Sequence, residues 1–155
     1  MTMASTVDEA LRQLNVDFQI LKHKRTESSL ATAHSAHVSE DKLAKAVVLT
    51  DGQGYVVAVL AADKTLDIER LRDQLHRRLK LASEEEINEL FYDCSRGAVP
   101  ALGPWYQIPT LVDSALREKE DVYFESGDHS GLIHVSEPSF EKLMRGAEFL
   151  ELATR

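Results

Sequence analysis

Two apolar runs joined by a short turn constrain the fold more than any other part of the sequence. The runs span residues 45–49 and 55–61, and Asp51-Gly52-Gln53-Gly54 lies between them. Apolar runs of this length, separated by a turn that contains glycine, are typical of a β-hairpin. The chain therefore has to bury two adjacent strands, and Lys45 stands at the start of the first one.

The other segments predict helices and strands that do not alternate strictly. Capping residues, apolar spacing and one alanine-rich stretch predict helices from residue 6, over 29–36, from 67 to 79, over 83–90 and from 136 to 146. Period-two or β-rich patterns predict further strands at 16–20, 107–112, 122–125 and 132–135. We expect residues 91–109 to form a long surface loop. This order predicts an α+β fold with a mixed sheet.

Length and composition predict one soluble domain. The 155 residues, with 43% hydrophobic and 28% charged side chains, are enough to form a core, and we expect a single domain over 1–155 with its core at about 16–146. A lone cysteine, Cys94, suits a reducing compartment. The first residues show no secretion signal, and no apolar run is long enough to cross a bilayer, so we expect a cytoplasmic protein without a membrane partner.

The net charge of −8 argues against a protein that coats DNA or any other nucleic-acid backbone. A local basic patch is still compatible with binding to one end of a nucleic acid. Two clusters are candidates, although a solvated surface explains each of them as well: residues 22–25, and the set Arg70, Arg72, Arg77, Arg78 and Lys80.

Lys45 is the strongest candidate for a catalytic residue. Most lysines are solvated and have no chemical role, but this one stands among Leu43, Ala44, Ala46 and Val47. A partly desolvated ammonium is a strong electrostatic donor, and it suits an ester carbonyl whose oxygen becomes negative in the transition state.

Two glycine-bearing segments downstream are candidates for substrate binding. Gly97 and Gly103 bracket a loop that contains Pro100, and Gly127 and Gly131 flank Asp128-His129-Ser130. Glycine lets a backbone approach a ligand closely, and free N–H groups can hold an oxyanion, although simple turns explain both segments too. His129 is a candidate base or hydrogen-bond donor, since imidazole titrates near neutral pH.

Other chemistries find little support in the sequence. Cys94 has no base paired with it in the sequence and is better explained as a buried, inert thiol. Metal-binding spacings, a phosphate-binding glycine loop and a dinucleotide fingerprint are missing, so we expect neither a metal nor a cofactor.

Several motifs, taken together and in order, resemble the YbaK/prolyl-tRNA editing domain family. The resemblance covers most of the chain, from Val16 to the last helix. The segments that carry it are Ala44-Lys45, Ala61-Ala62-Asp63, Leu81-Ala82-Ser83-Glu84-Glu85-Glu86, Asp93-Cys94-Ser95-Arg96-Gly97-Ala98-Val99-Pro100-Ala101-Leu102-Gly103, Gly127-Asp128-His129 and Leu132-Ile133. The chain departs from many relatives at Ala101 and Leu102, where they have a proline and an aromatic residue, and near His23, where Lys24-Arg25 stand.

The resemblance implies a YbaK-like fold and an activity. It implies a mixed sheet curled into a barrel-like core with helices around it. It implies hydrolysis of the ester between an amino acid and the terminal adenosine of a mischarged tRNA, with an aminoacyl-tRNA synthetase as a candidate partner. Lys45 matches the family's functional lysine, Gly97-Ala98 and Gly127 match its pocket-lining backbone, and His129 matches a position often occupied in one branch. His23 and His37 are pocket candidates on resemblance alone.

Three alternatives stay open at this point. The same pocket suits a binding module that holds an aminoacyl group or a nucleotide without turnover. A second alternative is a different small esterase or amidase, in which Cys94 is the nucleophile. A third is a regulatory subunit that works only inside a synthetase complex.

Overall fold

The computed structural model describes residues 3–24 and 28–154, which form a mixed α+β fold. Arg25, from the first basic cluster, lies outside the described residues. The α-helices are α1 (Ser5–Gln13), α2 (Ser29–Ser35), α3 (Ile68–Leu75), α4 (Glu84–Leu90) and α5 (Glu137–Leu143). The strands are β1 (Gln19–Lys22), β2 (Ala44–Thr50), β3 (Tyr55–Ala61), β4 (Lys80–Leu81), β5 (Thr110–Asp113), β6 (Asp121–Glu125), β7 (Gly131–Ser136) and β8 (Glu148–Leu150).

The strands form two sheets. One has five strands in the order β4-β2-β3-β5-β8, and the other has three in the order β1-β7-β6. The predicted hairpin is confirmed as the antiparallel pair β2–β3, in which Lys45 lies opposite Leu60. Strand β5 runs parallel to β3, and β8 runs parallel to β5, so the larger sheet is mixed as predicted.

The expected barrel-like closure is wrong, because the two sheets do not join into a closed ring. Within the described residues, one parallel bridge between Leu43 and Tyr123 links the sheets. Strands β4 and β8 form the two edges of the larger sheet. The sheets therefore meet along a seam where β2 approaches β6, and apolar side chains from both sheets fill the core, including Val48, Val59, Phe124 and Ile133.

Helix ends follow local capping chemistry at most of the predicted positions. Asp67 accepts a hydrogen bond from the N–H of Arg70 at the start of α3. Ser83 and Glu86 form the reciprocal capping box at the start of α4, and Ser136 caps α5. The helix start predicted at residue 6 is one residue late, because α1 begins at Ser5. No capping box forms there, and the N–H of Thr6 donates to the distant Asp93 carboxylate instead.

Other segments differ from the prediction for reasons of packing. The α3 pattern extended to Leu79, but the helix ends at Leu75 because His76 adopts a left-handed conformation, and Leu79 is buried in the following segment. The region 91–109 is not a plain surface loop: Ala98, Ala101 and Leu102 are fully buried, and residues 103–106 form a 3₁₀ helix. No pattern in the sequence predicted strand β8, which follows Gly146.

Within the described residues, no helix combines the length and apolar character that crossing a membrane requires.

Candidate active site

A small pocket lies at the seam between the two sheets. Its volume is about 170 Å³. Strand β2, the N-terminal end of α2, the segment after α4 and the end of β6 all contribute to its wall. The lining residues are Ser28, Ser29, Thr32, Leu43, Ala44, Lys45, Ala46, Gly97, Val99, Glu125 and His129.

The structure brings three of the predicted site residues into this pocket. Lys45 comes from β2, Gly97 from the segment after α4, and His129 from the β6–β7 turn. These residues are up to 84 positions apart in the chain. The three segments that the sequence singled out therefore meet at one place.

Lys45 directs its ammonium at the backbone after β3. Its Nζ donates to the carbonyl oxygen of Lys64 at 2.5 Å and to that of Ala62 at 3.3 Å. Partial burial lowers the pKa of Lys45, and the nearby Asp63 carboxylate offsets part of that effect. An ammonium has three N–H donors, so within the described chain one donor of Lys45 remains for a ligand.

Gly97 and His129 are packed against each other. A Cβ atom at Gly97 would make a tight contact of 3.2 Å with Cε1 of His129, and the φ of +82° at Gly97 favours glycine. The Nε2 atom of His129 donates to the carbonyl oxygen of Arg96. In the neutral imidazole this leaves Nδ1 with the lone pair.

Glu125 is a site residue that the sequence analysis missed. It ends β6 and lines the pocket, its side chain is 16% exposed, and its Oε2 atom has no hydrogen-bond partner among the described residues. Burial raises the pKa of Glu125, while His23, His129 and a hydrogen bond with Thr32 act in the opposite direction. A charged residue that alternates with a buried one such as Phe124 typically faces solvent. Here the opposite face of β6 is turned toward the pocket instead.

Four other predicted site residues lie outside the pocket lining. Ala98 and Pro100 are buried, and the N–H of Ala98 donates to the carbonyl oxygen of Ser95. Gly103 packs against Thr110, whose Oγ1 would overlap an added Cβ. Gly127 packs against the start of α1. These residues support the loops that form the pocket.

The two histidines suggested by resemblance lie in different surroundings. The His23 side chain is completely buried and does not line the pocket, but its Nε2 atom lies 3.7 Å from Oε2 of Glu125, which does. His37 is exposed after the end of α2 and does not line the pocket.

Cys94 lies in a polar contact with two neighbours. Its Sγ is 3.3 Å from the hydroxyl of Tyr106 and 3.5 Å from Oδ1 of Asp93. Burial raises the pKa of the Cys94 thiol to about 12, and the Asp93 carboxylate adds to the shift. A thiol held in this form is a poor nucleophile.

Most arginines of the second basic cluster make contacts within the chain. Arg70 donates to the carbonyl oxygens of Glu151 and Ala153, Arg72 to that of Leu79, and Arg77 to the Asp51 carboxylate at 2.8 Å. This cluster is therefore largely structural. Among residues 3–24 and 28–154, no three His, Cys, Asp or Glu side chains are grouped so that they would hold a metal ion.

The chain belongs to the aminoacyl-tRNA editing domain family, whose sequence profile matches residues 23–143. No functionally curated protein matches the chain. The fold is shared with solved structures. A candidate trans-editing enzyme for prolyl tRNA synthetase is 18% identical, with a TM-score of 0.80 over 99% of this chain and 100% of that one.

Two further structures have the same fold. The hypothetical protein APE2540 is 24% identical, with a TM-score of 0.83 over 97% of this chain and 100% of that one. A protein from Marinobacter aquaeolei VT8, assigned to signal transduction on a provisional basis, is 24% identical with a TM-score of 0.77. That match covers 99% of this chain but 31% of the other, so the same fold also occurs as one part of a longer protein.

Proposed function

We propose that this protein hydrolyses the ester that joins an amino acid to the end of a mischarged tRNA. Membership of the editing domain family supports this reaction class. The single observation that carries the proposal is the ammonium of Lys45, which lines a small pocket and keeps one N–H donor available for a ligand.

In the proposed reaction, Lys45 holds the carbonyl oxygen of the ester. A water molecule attacks the carbonyl carbon, and negative charge develops on that oxygen. A partly desolvated ammonium interacts more strongly with this charge than a solvated one would, and the backbone carbonyls of Ala62 and Lys64 hold it in place. The N–H of Gly97 makes no hydrogen bond within the described residues and is the second candidate donor.

The attacking water gives its proton to a base. We propose two candidates: a hydroxyl of the terminal ribose beside the ester, or Nδ1 of His129, which lines the pocket. The ester C–O bond then breaks and the ribose oxygen takes a proton, which releases the free amino acid and the tRNA. Positioning and charge stabilisation supply most of the rate for such an activated ester.

The pocket volume favours a small aminoacyl group. At about 170 Å³ it is smaller than the 300–1,000 Å³ typical of pockets for drug-sized ligands. Small apolar side chains are discriminated poorly by binding alone, which is the situation that editing corrects. With a net charge of −8, we propose that the chain contacts only the acceptor end of the tRNA. The tRNA would be free or held by a synthetase.

The test is hydrolysis of a panel of mischarged tRNAs by the wild type, Lys45→Ala and Lys142→Ala. Lys142 is an exposed lysine on α5 and serves as the matched control. We expect release of one or a few amino acids by the wild type and by Lys142→Ala. Lys45→Ala should be slower by about 10²–10³-fold, as for the loss of one oxyanion donor.

Two results would contradict the proposal. Full turnover by a Lys45→Ala variant with an unchanged circular dichroism spectrum would reject the lysine mechanism. Binding of the aminoacyl end without any release by the wild type would reject the enzyme and favour a binding module.

A further inference from the structure

A buried carboxylate faces the same pocket as Lys45. Glu125 lines the pocket from the end of β6, on the three-stranded sheet, whereas Lys45 lines it from β2 on the five-stranded sheet. Its Oε2 atom is buried and accepts no hydrogen bond from the described residues. A buried carboxylate oxygen without a donor is costly, so a pocket that retains one calls for a ligand that supplies a donor.

The side chain next to Glu125, that of His23, does not complete its hydrogen bonding. Nδ1 of His23 lies 2.7 Å from the carbonyl oxygen of Lys24. Since a carbonyl only accepts, Nδ1 of His23 carries a hydrogen and is used within the chain. The Nε2 atom of His23 is buried, has no hydrogen-bond partner among the described residues and lies 3.7 Å from Oε2 of Glu125. A separation of 3.7 Å is longer than a hydrogen bond, so His23 does not supply the donor that Oε2 of Glu125 lacks.

We propose that Glu125 binds the α-ammonium group of the aminoacyl ester, so that the pocket selects esters with a free amine. This inference rests on the proposed function and adds a specificity residue to it. In an aminoacyl ester the ammonium is one carbon away from the carbonyl. Lys45 and Glu125 present opposite charges to one pocket of about 170 Å³, which orients a substrate that carries both groups.

An ammonium site at Glu125 would determine which esters the pocket accepts. An ester whose amine is acylated, such as the end of a peptidyl-tRNA, has lost both the charge and two of the three donors. Oε2 of Glu125 would then remain desolvated and without a donor, and the added acyl group would have to fit a pocket of this small volume. We therefore expect that the protein does not hydrolyse tRNAs that carry a growing peptide or an amino acid with an acylated amine.

Binding probes test the inference separately from catalysis. Each probe is an adenosine whose 3′-oxygen is replaced by nitrogen, so that the aminoacyl group is held by an amide that resists hydrolysis. Three pairs are compared by isothermal titration: glycyl with acetyl, alanyl with propionyl, and seryl with 3-hydroxypropionyl. The second member of each pair lacks only the amine.

The variants are Glu125→Gln, Glu125→Asp and the exposed control Glu148→Gln. We expect the wild type and the control to bind at least one amine probe at least tenfold more tightly than its partner. Glu125→Gln should lose this preference and Glu125→Asp should weaken it. Glu125→Gln should fold normally, since it replaces a desolvated carboxylate by a neutral group of the same shape.

Four results would overturn the inference. Equal affinity of the wild type for both members of every pair would do so, as would a preference that survives in folded Glu125→Gln. Failure of every probe to bind would also overturn it. If Glu125→Gln slowed hydrolysis of free and N-acetylated aminoacyl-tRNA equally, Glu125 would be a general base instead. Amine preference without hydrolysis of any mischarged tRNA would reject the proposed function and leave the ammonium site supported.

Discussion

Gly127 requires glycine for two independent reasons. Its φ is +100°, and an added Cβ would lie 2.7 Å from Cβ of Ala4 and 3.2 Å from Sγ of Cys94. We expect Gly127→Ala to lower the free energy of unfolding by about 2–4 kcal/mol, from backbone strain and overpacking together. Gly52 has a φ of +88°, but a Cβ added there would have none of the described atoms within 4 Å, so Gly52→Ala should cost only about 1 kcal/mol. Urea denaturation of both variants checks this, and equal losses would contradict the packing argument.

The Cys94 thiol should be unreactive. With its pKa raised to about 12 by burial, only about 10⁻⁴ of the thiol is ionised at pH 8, against a substantial fraction for an ordinary cysteine. We expect iodoacetamide to label the folded protein at least ~100-fold more slowly than the chain in urea, measured by mass spectrometry. Cys94→Ser should keep full deacylation. Rapid labelling that also abolishes activity would instead support a cysteine nucleophile.

At the scale of single residues, the sequence predicted some site positions and missed others. Lys45 could be found because a charge in an apolar run is unusual. Glu125 could not, because a charged residue that alternates with Val122 and Phe124 predicts an exposed position. Its burial depends on how β6 meets β2 and α2, which are 75 or more residues away in sequence. Gly127 was expected to line the pocket, but its local sequence gave no sign that it packs against α1.

At the scale of elements, helix α5 carries two carboxylates one turn apart, Glu137 and Glu141. Partial burial and the neighbouring Glu141 raise the pKa of Glu137 from 4.5 to about 7. The folded protein therefore holds a proton that the unfolded chain releases, so stability should fall as the pH rises from about 4.5 to 7. We expect a melting temperature that decreases over this range, and a smaller decrease in Glu141→Gln. The exposed control Glu85→Gln should behave as the wild type, and an identical pH profile for Glu141→Gln would contradict this account.

Elements with strong local signals were predicted well. The β2–β3 hairpin, the cap of α3 by Asp67 and the capping box of α4 depend on residues within a few positions of each other. Elements defined by distant partners were not. Strand β8 has three residues and exists because it pairs with β5. The start of α1 is held by two distant residues: the N–H of Ala4 donates to the carbonyl oxygen of Ser126, and the N–H of Thr6 donates to the Asp93 carboxylate.

At the scale of the whole molecule, the C-terminal segment closes one side of the core. Leu152 is 1% exposed, its N–H donates to Asp113, and its carbonyl oxygen accepts from the N–H of Asp67. We expect Leu152→Ala to cost about 2–4 kcal/mol of unfolding free energy through the cavity it leaves. Leu81→Ala, at a leucine that is 61% exposed, should cost less than about 0.5 kcal/mol. Chemical denaturation that showed similar losses for both variants would contradict a closing role for this segment.

The backbone bridge between Leu43 and Tyr123 also affects how the pocket can change. Lys45 and Glu125 belong to different sheets, and among the described residues this is the one β-bridge between those sheets, which otherwise meet through side-chain packing. The spacing between the two charges therefore depends on the angle between the sheets as well as on the side chains themselves. A substitution in the core beneath the seam would alter that angle and so resize the pocket while both charged residues stay in place. Relatives with the same lysine and glutamate need not accept the same amino acid.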